Sequence, residues 1–271
     1  MKVWKIFLSV GIIVLVIGVI VFITGLGMNG WKFQVEYDMR TFNAQSDNTN
    51  LDLSLSAGRM NVEFYDGDKI EVEYPDAYQY GYEVYENDGC VYVTPKTTFF
   101  IWFGWNKIPD VTVKIPKDAK MYLTLKVSAG TANIAEGVFK GANFKLSAGK
   151  IIAEGLNCDY IEETGWADGA FRAEISAGYL SVDKLQAREI NLSLSAGSAD
   201  IRCQNNEKVK AHVSAGSLSM RLAGAKSEYD ISVDKSAGSC NVSSQRRSGG
   251  LQRTLDIDLS AGSVNAYFGL S

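Results

Sequence analysis

Few side chains in this sequence could support catalysis or metal binding, and they are widely separated. The chain has one histidine, His212, and four cysteines, at Cys90, Cys158, Cys203 and Cys240. His212 falls in an outward position of an alternating run, and no recognisable serine and aspartate motif accompanies it, so a surface histidine is favoured over a catalytic one. The cysteines lack a CxxC pair or the spacing of a metal site. We therefore predict no catalytic residues, no metal site and no cofactor.

Composition and charge narrow the class of protein. The chain has 271 residues with 46% apolar content, which is enough for a substantial core. A formal net charge of -4 and an isoelectric point near 5.2 offer no basic surface for nucleic acid. Only four prolines stand against 26 glycines, and the β-branched and aromatic residues are spread throughout. This composition favours strands over helices. We expect an all-β body that does not bind nucleic acid.

The N-terminal segment differs from the rest because residues 6–31 carry no charge. A helix of about 20 apolar residues spans a bilayer, so a transmembrane helix is predicted over residues 6–30. Lys2 and Lys5 precede it, which places the tip, residues 1–5, in the cytoplasm and the body outside. A cleavable signal peptide is the alternative, but its short apolar region and A-x-A-like cleavage site do not fit this run. The sequence thus predicts a single-pass protein of the cytoplasmic membrane.

The tripeptide Ser-Ala-Gly recurs along the remaining chain. Its copies begin at Ser56, Ser128, Ser147, Ser176, Ser195, Ser214, Ser236 and Ser260. The residues one, three and five places before each serine are apolar, with Lys235 as the exception, and so are the residues two and four places after each glycine. Alternation with a period of two is typical of a strand that buries one face. Each copy is therefore predicted to join two half-buried strands.

The same alternation predicts that Ser-Ala-Gly forms a corner. The inward phase slips by one residue between the alanine and the second strand, and a slip of this kind is typical of a bulge or sharp bend. We predict that the alanine points into the crowded inside of the bend and that the glycine adopts a positive φ. We expect the serine to bond neighbouring backbone. The predicted structural corners are Gly58, Gly130, Gly149, Gly178, Gly197, Gly216, Gly238 and Gly262.

The spacing of the copies predicts stacked coils. Intervals of 19 residues recur, which is enough for two strands of about six residues and two turns, and so small a unit cannot bury its apolar face alone. Coils stacked about 4.8 Å apart superimpose their corners and pair each strand with strands above and below. We predict a parallel β-solenoid over residues 51–271 with two facing parallel sheets. The interval of 72 residues should hold coils without the motif and an insertion, and residues 160–169 and 243–250 should be extra loops.

Chemistry on such a solenoid is disfavoured by its residue types. Cys203 and Cys240 fall in inward positions and are interpreted as free buried thiols. The calcium-binding nonapeptide needs GGxGxD runs, which these corners lack. Polysaccharide lyases cluster charged side chains on one outer sheet, whereas outward residues such as Lys126, Glu174 and Asp258 are scattered in sign. A solenoid hydrolase or lyase stays a remote alternative.

An aromatic segment over residues 97–109, TTFFIWFGWNKIP, does not follow the alternation. One interpretation, which we favour, is a lid over the first coil, because terminal coils of solenoids need a cap. The other is an interaction loop that contacts lipid headgroups or a partner protein, since aromatic residues favour such interfaces. The candidate cap or interaction residues are Phe99, Phe100, Ile101, Trp102, Phe103 and Trp105.

Three motifs carry a resemblance to a known family. They are the opening LSLSAGRMNVEFYDGD, the strand VTVKIP before Lys117, and the serial Ser-Ala-Gly corners. With them, residues 51–271 resemble a bacterial family of uncharacterised β-strand-repeat domains, often labelled candidate adhesins, that includes membrane-anchored accessory proteins of Lia-type envelope-stress operons. The resemblance implies a solenoid outside the bacterial cytoplasmic membrane and gives no catalytic residues to transfer.

The expected function is binding rather than catalysis. The leading hypothesis is a non-enzymatic, membrane-anchored, extracytoplasmic β-solenoid that binds an envelope component or a stress-sensing membrane partner. An adhesin-like surface module that recognises an external ligand is the alternative. Residues 31–50 are expected to form a juxtamembrane stretch and tether that ends in the polar run NAQSDNTN. So short a tether favours partners close to the membrane. The oligomeric state stays open.

Overall fold

Alternating apolar and polar residues build the folded chain as a series of short strands. The computed structural model describes residues 37–45, 48–77, 81–96, 109–158, 169–246 and 253–270. One 3-10 turn, Lys226–Glu228, lies among the strands. In chain order the strands are β1 (Asp38–Asn43), β2 (Asn50–Leu55), β3 (Arg59–Tyr65), β4 (Glu71–Asp76), β5 (Tyr82–Asn87), β6 (Cys90–Pro95), β7 (Val111–Pro116), β8 (Tyr122–Val127), β9 (Thr131–Ile134), β10 (Gly137–Val138), β11 (Gly141–Leu146), β12 (Lys150–Ala153), β13 (Leu156–Asn157), β14 (Ala170–Ile175), β15 (Tyr179–Gln186), β16 (Glu189–Leu194), β17 (Ser198–Asn205), β18 (Lys208–Val213), β19 (Ser217–Ala223), β20 (Tyr229–Lys235), β21 (Ser239–Cys240), β22 (Arg253–Leu259) and β23 (Ser263–Leu270).

These strands form two mostly parallel sheets. Sheet A contains 13 strands and sheet B contains 10. Each Ser-Ala-Gly copy leads from a strand of sheet B into a strand of sheet A, so that one coil contributes to both sheets. The predicted all-β class with two parallel sheets is confirmed, and the architecture is consistent with a β-solenoid. Among the described residues no helix is long and apolar enough to cross a membrane, and the predicted anchor over residues 6–30 lies outside them.

The core lies between the two sheets and is filled by the residues that the alternation marks as inward. In β16, for example, Ile190, Leu192 and Leu194 are at most 3% exposed, and burying each such side chain contributes about 1.5 to 3 kcal/mol. The exceptions among the predicted inward positions are Lys235, which is exposed, and Val233 and Cys240, which are half-buried. All three belong to β20 and β21, where each sheet ends.

The corners differ from the prediction in which residue faces inward. The alanine of each corner is exposed or half-buried, whereas the glycines of the corners from Gly130 to Gly216 pack against the preceding coil. A Cβ atom on Gly197 would lie 2.4 Å from Cγ2 of Ile175 and 2.6 Å from the carbonyl oxygen of Gly178. The backbone continues the ladder through the corner, since the amide of Ala196 donates to the carbonyl of Ser176 at 2.7 Å. The predicted inward alanine is therefore wrong, because the glycine occupies the crowded position.

The predicted positive φ holds for only some corner glycines. It occurs at Gly58, Gly238 and Gly262, with φ of 87°, 85° and 96°. The glycines of the corners between Gly130 and Gly216 do not adopt it. At these inner corners a side chain is excluded by the closeness of the next coil and not by the backbone conformation. The prediction is wrong there for this reason.

The coils are not stacked in chain order at either end. Along sheet B the order is β20, β22, β18, β16, β14, β11, β8, β2, β6 and β5. At the N-terminal end β6 comes after β2 in the chain but lies nearer the edge of the sheet than β2. At the C-terminal end β22 comes after β20 in the chain but lies between β20 and β18. Sheet A repeats both departures with β7 outside β3 and β23 inside β21. Between β8 and β19 the coils follow chain order.

The N-terminal end adds antiparallel strands to the solenoid. β1 and β4 pair antiparallel, as do β4 with β7 and β5 with β6. The 72-residue interval thus contains one coil without the motif, formed by β6 and β7, together with inserted antiparallel strands. The folded part begins before residue 51, because β1 pairs with β4 and Ala44 is buried. Part of the predicted tether therefore belongs to the body.

Candidate functional site

The outer face of sheet B carries an ordered array of polar side chains. In-register parallel pairing lines up equivalent residues of successive strands in rows, about 4.8 Å apart. Two rows, named here the first row and the second row, occupy this face. The first row is Asp52, Thr124, Asn143, Arg172, Asn191, Lys210, Asp256 and Ser232. The second row is Ser54, Lys126, Lys145, Glu174, Ser193, His212, Asp258 and Asp234.

A shallow groove of about 450 Å³ lies over the C-terminal part of this face. Residues of both rows from β14, β16, β18, β22 and β20 line it, and the small inward residues Ala173 and Ala211 also contribute. The charge of its side chains changes from positive to negative along the solenoid axis. Asp234, Asp256 and Asp258 lie on the last two strands of sheet B, next to the lysines of β18. The groove is therefore an open surface of polar and apolar groups with an acidic end.

The structure brings His212 together with a serine and an aspartate. Nδ1 of His212 lies 2.8 Å from Oδ2 of Asp258, and Oγ of Ser214 lies 3.4 Å from Nε2 of His212. A serine, an imidazole and a carboxylate in this order are the groups of a nucleophilic triad. Sequence reasoning missed this arrangement because no local motif contains it. The signal was the repeat itself, since His212 and Asp258 each stand two places before a corner serine.

The surroundings of these three groups do not complete a catalytic site. The side chains of His212 and Asp258 are 50% and 61% exposed, so water screens their interaction. The amide of Ala215, which follows Ser214, already donates to the carbonyl of Ser195 at 2.7 Å. It is therefore not free to stabilise an oxyanion, which is usually the largest electrostatic contribution in acyl transfer.

A second feature of the same face is a pair of tyrosines near its N-terminal end. The rings of Tyr85 and Tyr92 stack with centroids 4.9 Å apart and an angle of 13° between their planes. Tyr85 is 41% exposed. In the neighbouring strand Asp52 accepts hydrogen bonds from Nζ of Lys126 at 2.9 and 3.1 Å. The pKa of Tyr92 is raised, first by its hydrogen bond with the thiol of Cys90. Exposed aromatic and charged groups thus stand side by side.

The four cysteines are thiols that lie mostly in the core. Cys90, Cys158 and Cys203 are buried and Cys240 is half-buried. Burial raises the pKa of Cys203 to about 12. A thiol held protonated in this way is a poor nucleophile. This agrees with the interpretation of Cys203 as a small core hydrophobe, and Cys240 packs against the core from the last coil.

Other predicted features lie where the structure gives no description. The candidate cap or interaction residues, Phe99 to Trp105, fall within residues 97–108, which are outside the described part of the chain. The same holds for most of the predicted extra loop at residues 160–169. In the described ranges no group of three or more His, Cys, Asp or Glu side chains could hold a metal ion.

Comparison with protein families gives one match that covers most of the chain. The family model described as Toastrack DUF4097 matches residues 48–268. The match begins just before β2 and ends within β23, and it therefore spans both sheets. No curated protein matches the chain.

Several solved structures are similar to this chain at low identity. A candidate cell adhesion protein from Clostridium sporogenes ATCC 15579 is 13% identical with a TM-score of 0.37, covering 86% of this chain and 100% of its own. A candidate adhesin from Bacteroides fragilis NCTC 9343 is 13% identical with a TM-score of 0.43, covering 87% and 97%. A candidate lipid binding protein from Parabacteroides distasonis ATCC 8503 is 14% identical with a TM-score of 0.31, covering 85% and 96%. At these TM-scores the likenesses carry no argument about function.

Proposed function

The chain belongs to the Toastrack DUF4097 family, and from this premise we propose that it is a non-enzymatic binding module. In this proposal residues 6–30 anchor it in the bacterial cytoplasmic membrane and the solenoid lies outside the cytoplasm. Its partner in this proposal is an envelope component or a stress-sensing membrane protein. The anchor is supported by the uncharged run over residues 6–31 and by Lys2 and Lys5 before it.

The observation that carries the binding proposal is the outer face of sheet B. Apart from the edge strands β20 and β5, its strands are held by neighbours on both sides, so most side chains of the two rows have fixed spacing before a partner arrives. Pre-organisation of this kind lowers the entropic cost of binding. The groove exposes His212, Asp258 and Lys210 together. A partner with complementary charge and a regular polar surface would meet this array without rearrangement.

A non-enzymatic role is supported by the chemistry of the same face. The only described histidine, His212, is half exposed, and the amide beside Ser214 is already hydrogen bonded. A nucleophile in water without an oxyanion site has little advantage over water itself. The triad-like arrangement then acts as hydrogen-bonding groups in the groove.

Site-specific crosslinking in native membranes tests the proposed binding face. A photo-reactive amino acid replaces Ser193 in the groove, and a matched control replaces Arg221, which is exposed on the outer face of sheet A. The proposal expects one defined adduct from position 193 that is absent from position 221. Mass spectrometry then identifies it. Equal adducts from both positions, or none from position 193, would contradict a binding role for this face.

A reporter fusion tests the proposed location separately. A reporter placed after Ser271 is expected to be active only outside the cytoplasm, and the mature chain should retain Met1 to Lys5. A mature N-terminus beyond Gly30 would show cleavage and remove the anchor. The outcome does not depend on whether a partner has been found.

The alternative function, an adhesin-like module for an external ligand, is favoured by the exposed stack of Tyr85 on Tyr92. Aromatic rings beside charged and hydroxyl groups suit ligands with apolar and polar faces. A Tyr85→Ser chain should then lose attachment of cells to an external surface while crosslinking from Ser193 persists. Unchanged attachment would favour the membrane-proximal partner.

A further inference from the structure

The last coil of the solenoid is inserted between two coils that precede it in the chain, and from this we propose that β22 and β23 are exchanged between neighbouring copies of the protein. In the exchanged form residues 253–270 of one molecule fill the slot between the coil of β18 and β19 and the coil of β20 and β21 of a second molecule. This inference goes beyond the proposed binding function and does not depend on it.

The hydrogen bonds of the corners define the slot. The amide of Ala261 donates to the carbonyl of Ser214 at 2.7 Å, and the amide of Ala237 donates to the carbonyl of Ser260 at 2.9 Å. The corner at Ser260 therefore lies between the corners at Ser214 and Ser236. Both strands of the inserted coil have a parallel partner on each side. Without this coil the two flanking coils would face each other across one missing layer.

In the order of the chain, the flanking coils come before the segment that lies between them. β20 and β21 precede β22 and β23 in the chain, so the slot is formed by residues that are synthesised before its occupant. The corner at Ser236 has the same Ser-Ala-Gly sequence as the corner at Ser260 and could stack directly on Ser214 until residues 253–270 arrive. These two corners must separate before residues 253–270 can enter. Once they have separated, the same segment of a neighbouring molecule can enter between them.

A second copy supplies an identical occupant. Leu255, Ile257 and Leu259 fill the core from β22, while Val264 and Ala266 fill it from β23, and all are at most 3% exposed. The exchanged segment makes the same apolar contacts and the same backbone hydrogen bonds as the molecule's own segment. Exchange of identical elements is a low-cost route to oligomers for this reason.

The entry to the slot contains a preformed polar receptor for the segment. Nη1 of Arg253, the first described residue of β22, donates to the carbonyl of Ala223 at 2.7 Å and lies over the ring of Tyr229. Nδ2 of buried Asn206 donates to the hydroxyl of Tyr229 at 2.9 Å. Asn206, Ala223 and Tyr229 all belong to the accepting side. This receptor therefore fixes the register of the segment whichever molecule donates it.

The connection before β22 is long enough for exchange. Gln245 is held to β20 by two backbone hydrogen bonds with Ile231, so the span left to cross between molecules runs from residue 246 to residue 253. Fully extended, this span reaches about 24 Å. Adjacent coils are about 4.8 Å apart and packed sheets about 10 Å apart, so two copies that meet at their C-terminal ends can be linked while β20 and β21 stay in place.

A disulfide formed between two differently tagged full-length copies tests the exchange. One copy carries Lys210→Cys and the other carries Asp256→Cys, both in a Cys240→Ser background. These positions are register partners across β18 and β22, and adjacent strands place their Cα atoms within disulfide range. The matched control uses Asn191→Cys in one copy and Lys210→Cys in the other, which are register partners across β16 and β18. Coils in the control stack in chain order, so exchange does not bring its cysteines together.

Co-expression in native membranes, followed by mild oxidation and a non-reducing gel, gives the readout. Exchange predicts a covalent heterodimer from the Lys210 and Asp256 pair that is absent from the control pair. A second test pair, Ser219→Cys with Asn265→Cys across β19 and β23, should give the same result in sheet A. The proposal is overturned if both test pairs form their disulfide only when placed in one chain, or if the control pair forms heterodimers as readily, which would indicate random collision.

Discussion

The middle of the solenoid and its two ends are built from the same repeat but are held together differently. From β8 to β19 the coils follow chain order, each strand has parallel neighbours, and each corner glycine packs on the corner before it. At the N-terminal end antiparallel strands cover the stack, and an ion cluster joins them. At the C-terminal end the last coil is inserted out of order beside a buried polar network. Close packing therefore specifies the middle, and polar contacts specify the ends.

This difference shows what a repeat can and cannot encode. The alternating pattern fixes the cross-section of a coil, because every inward residue meets the same environment in each layer. It does not fix which layer is adjacent to which, since all corners carry the same three residues. Layer order at the ends must come from residues that break the repeat, such as Asn206 and Tyr229.

The largest effect is expected at a glycine of the middle. Gly197→Val should destabilise the fold by about 3 kcal/mol or more, because its side chain would overlap Ile175 and the carbonyl of Gly178, and overpacking of this kind is costly. The matched control is Gly269→Ala near the C-terminal end of strand β23. Gly269 has φ of 88° but no atom within 4 Å of an added Cβ, so about 1 kcal/mol is expected. Chemical denaturation of the purified chain measures both, and equal losses would contradict exclusion by close packing.

Truncation of a core side chain should cost different amounts of stability in the middle and at the ends, with a somewhat smaller loss than at Gly197. Leu194→Ala in β16 removes a fully buried side chain and should cost about 2 to 5 kcal/mol. Val233→Ala in the edge strand β20 should cost less than about 1 kcal/mol, because Val233 is only half-buried. Urea midpoints of the two variants make the comparison. If Val233→Ala were the more damaging change, the edge coil would be packed as tightly as the middle.

Much of the fold follows from the sequence because it depends on alternation. The inward positions of β2, β8 and β16 agree with the pattern, as the burial of Leu53, Leu125 and Leu192 shows. The sequence does not predict which corner residue faces the neighbouring coil, because a one-residue phase slip can place either the alanine or the glycine there. Only the distance from Gly197 to the preceding coil distinguishes the two. The sequence does not predict the stacking order either, because the corners at Ser236 and Ser260 have the same three residues and either could lie next to Ser214.

The candidate site was less predictable than the fold. His212 and Ser214 belong to one coil and Asp258 to another, and they meet because β22 lies beside β18. Chain order would have placed β20, with Asp234, in that position. The pairing of Tyr85 with Tyr92 likewise depends on an antiparallel hairpin inside the 72-residue interval. Contacts across layers need the topology, which local periodicity does not contain.

A smaller loss is expected from the polar network of the C-terminal end. The hydroxyl of Tyr229 donates to the carbonyl of Ala223 at 2.7 Å and accepts from Nδ2 of Asn206. Tyr229→Phe removes the hydroxyl that accepts from the buried side-chain amide of Asn206, which should lower the free energy of unfolding by about 1 to 3 kcal/mol. Tyr85→Phe is the matched control, because Tyr85 is exposed and its variant should be nearly neutral. Equal thermal stability of the Tyr229→Phe chain and the natural chain would mean that the network does not hold the end coils.

The smallest effect, and the one that depends on pH, is expected at the N-terminal ion cluster. Asp76 is buried between β1 and the end of β6, where Nε of Arg40 lies 2.9 Å from Oδ2 and Lys96 pairs with Oδ1. The hydrogen bond from Lys96 holds the pKa of Asp76 below its usual range, against the opposing effect of burial. A depressed pKa in the folded state means that the carboxylate stabilises the fold above the unfolded pKa of about 3.9 and loses this contribution as pH falls through the folded value.

Asp76→Asn should therefore lower stability by on the order of 1 kcal/mol or less near neutral pH. The difference between the two chains should begin to shrink below the unfolded pKa of about 3.9 and vanish once the pH is below the folded pKa of Asp76, because protonation then removes the same charge from the natural chain. Thermal melting from neutral pH down to the lowest pH at which the chain stays folded measures this convergence. Glu83→Gln is the control, since Glu83 is exposed on β5 and its change should be small at every pH. A gap between Asp76→Asn and the natural chain that stays constant with pH would show that shape, and not charge, joins the antiparallel strands to the first coil.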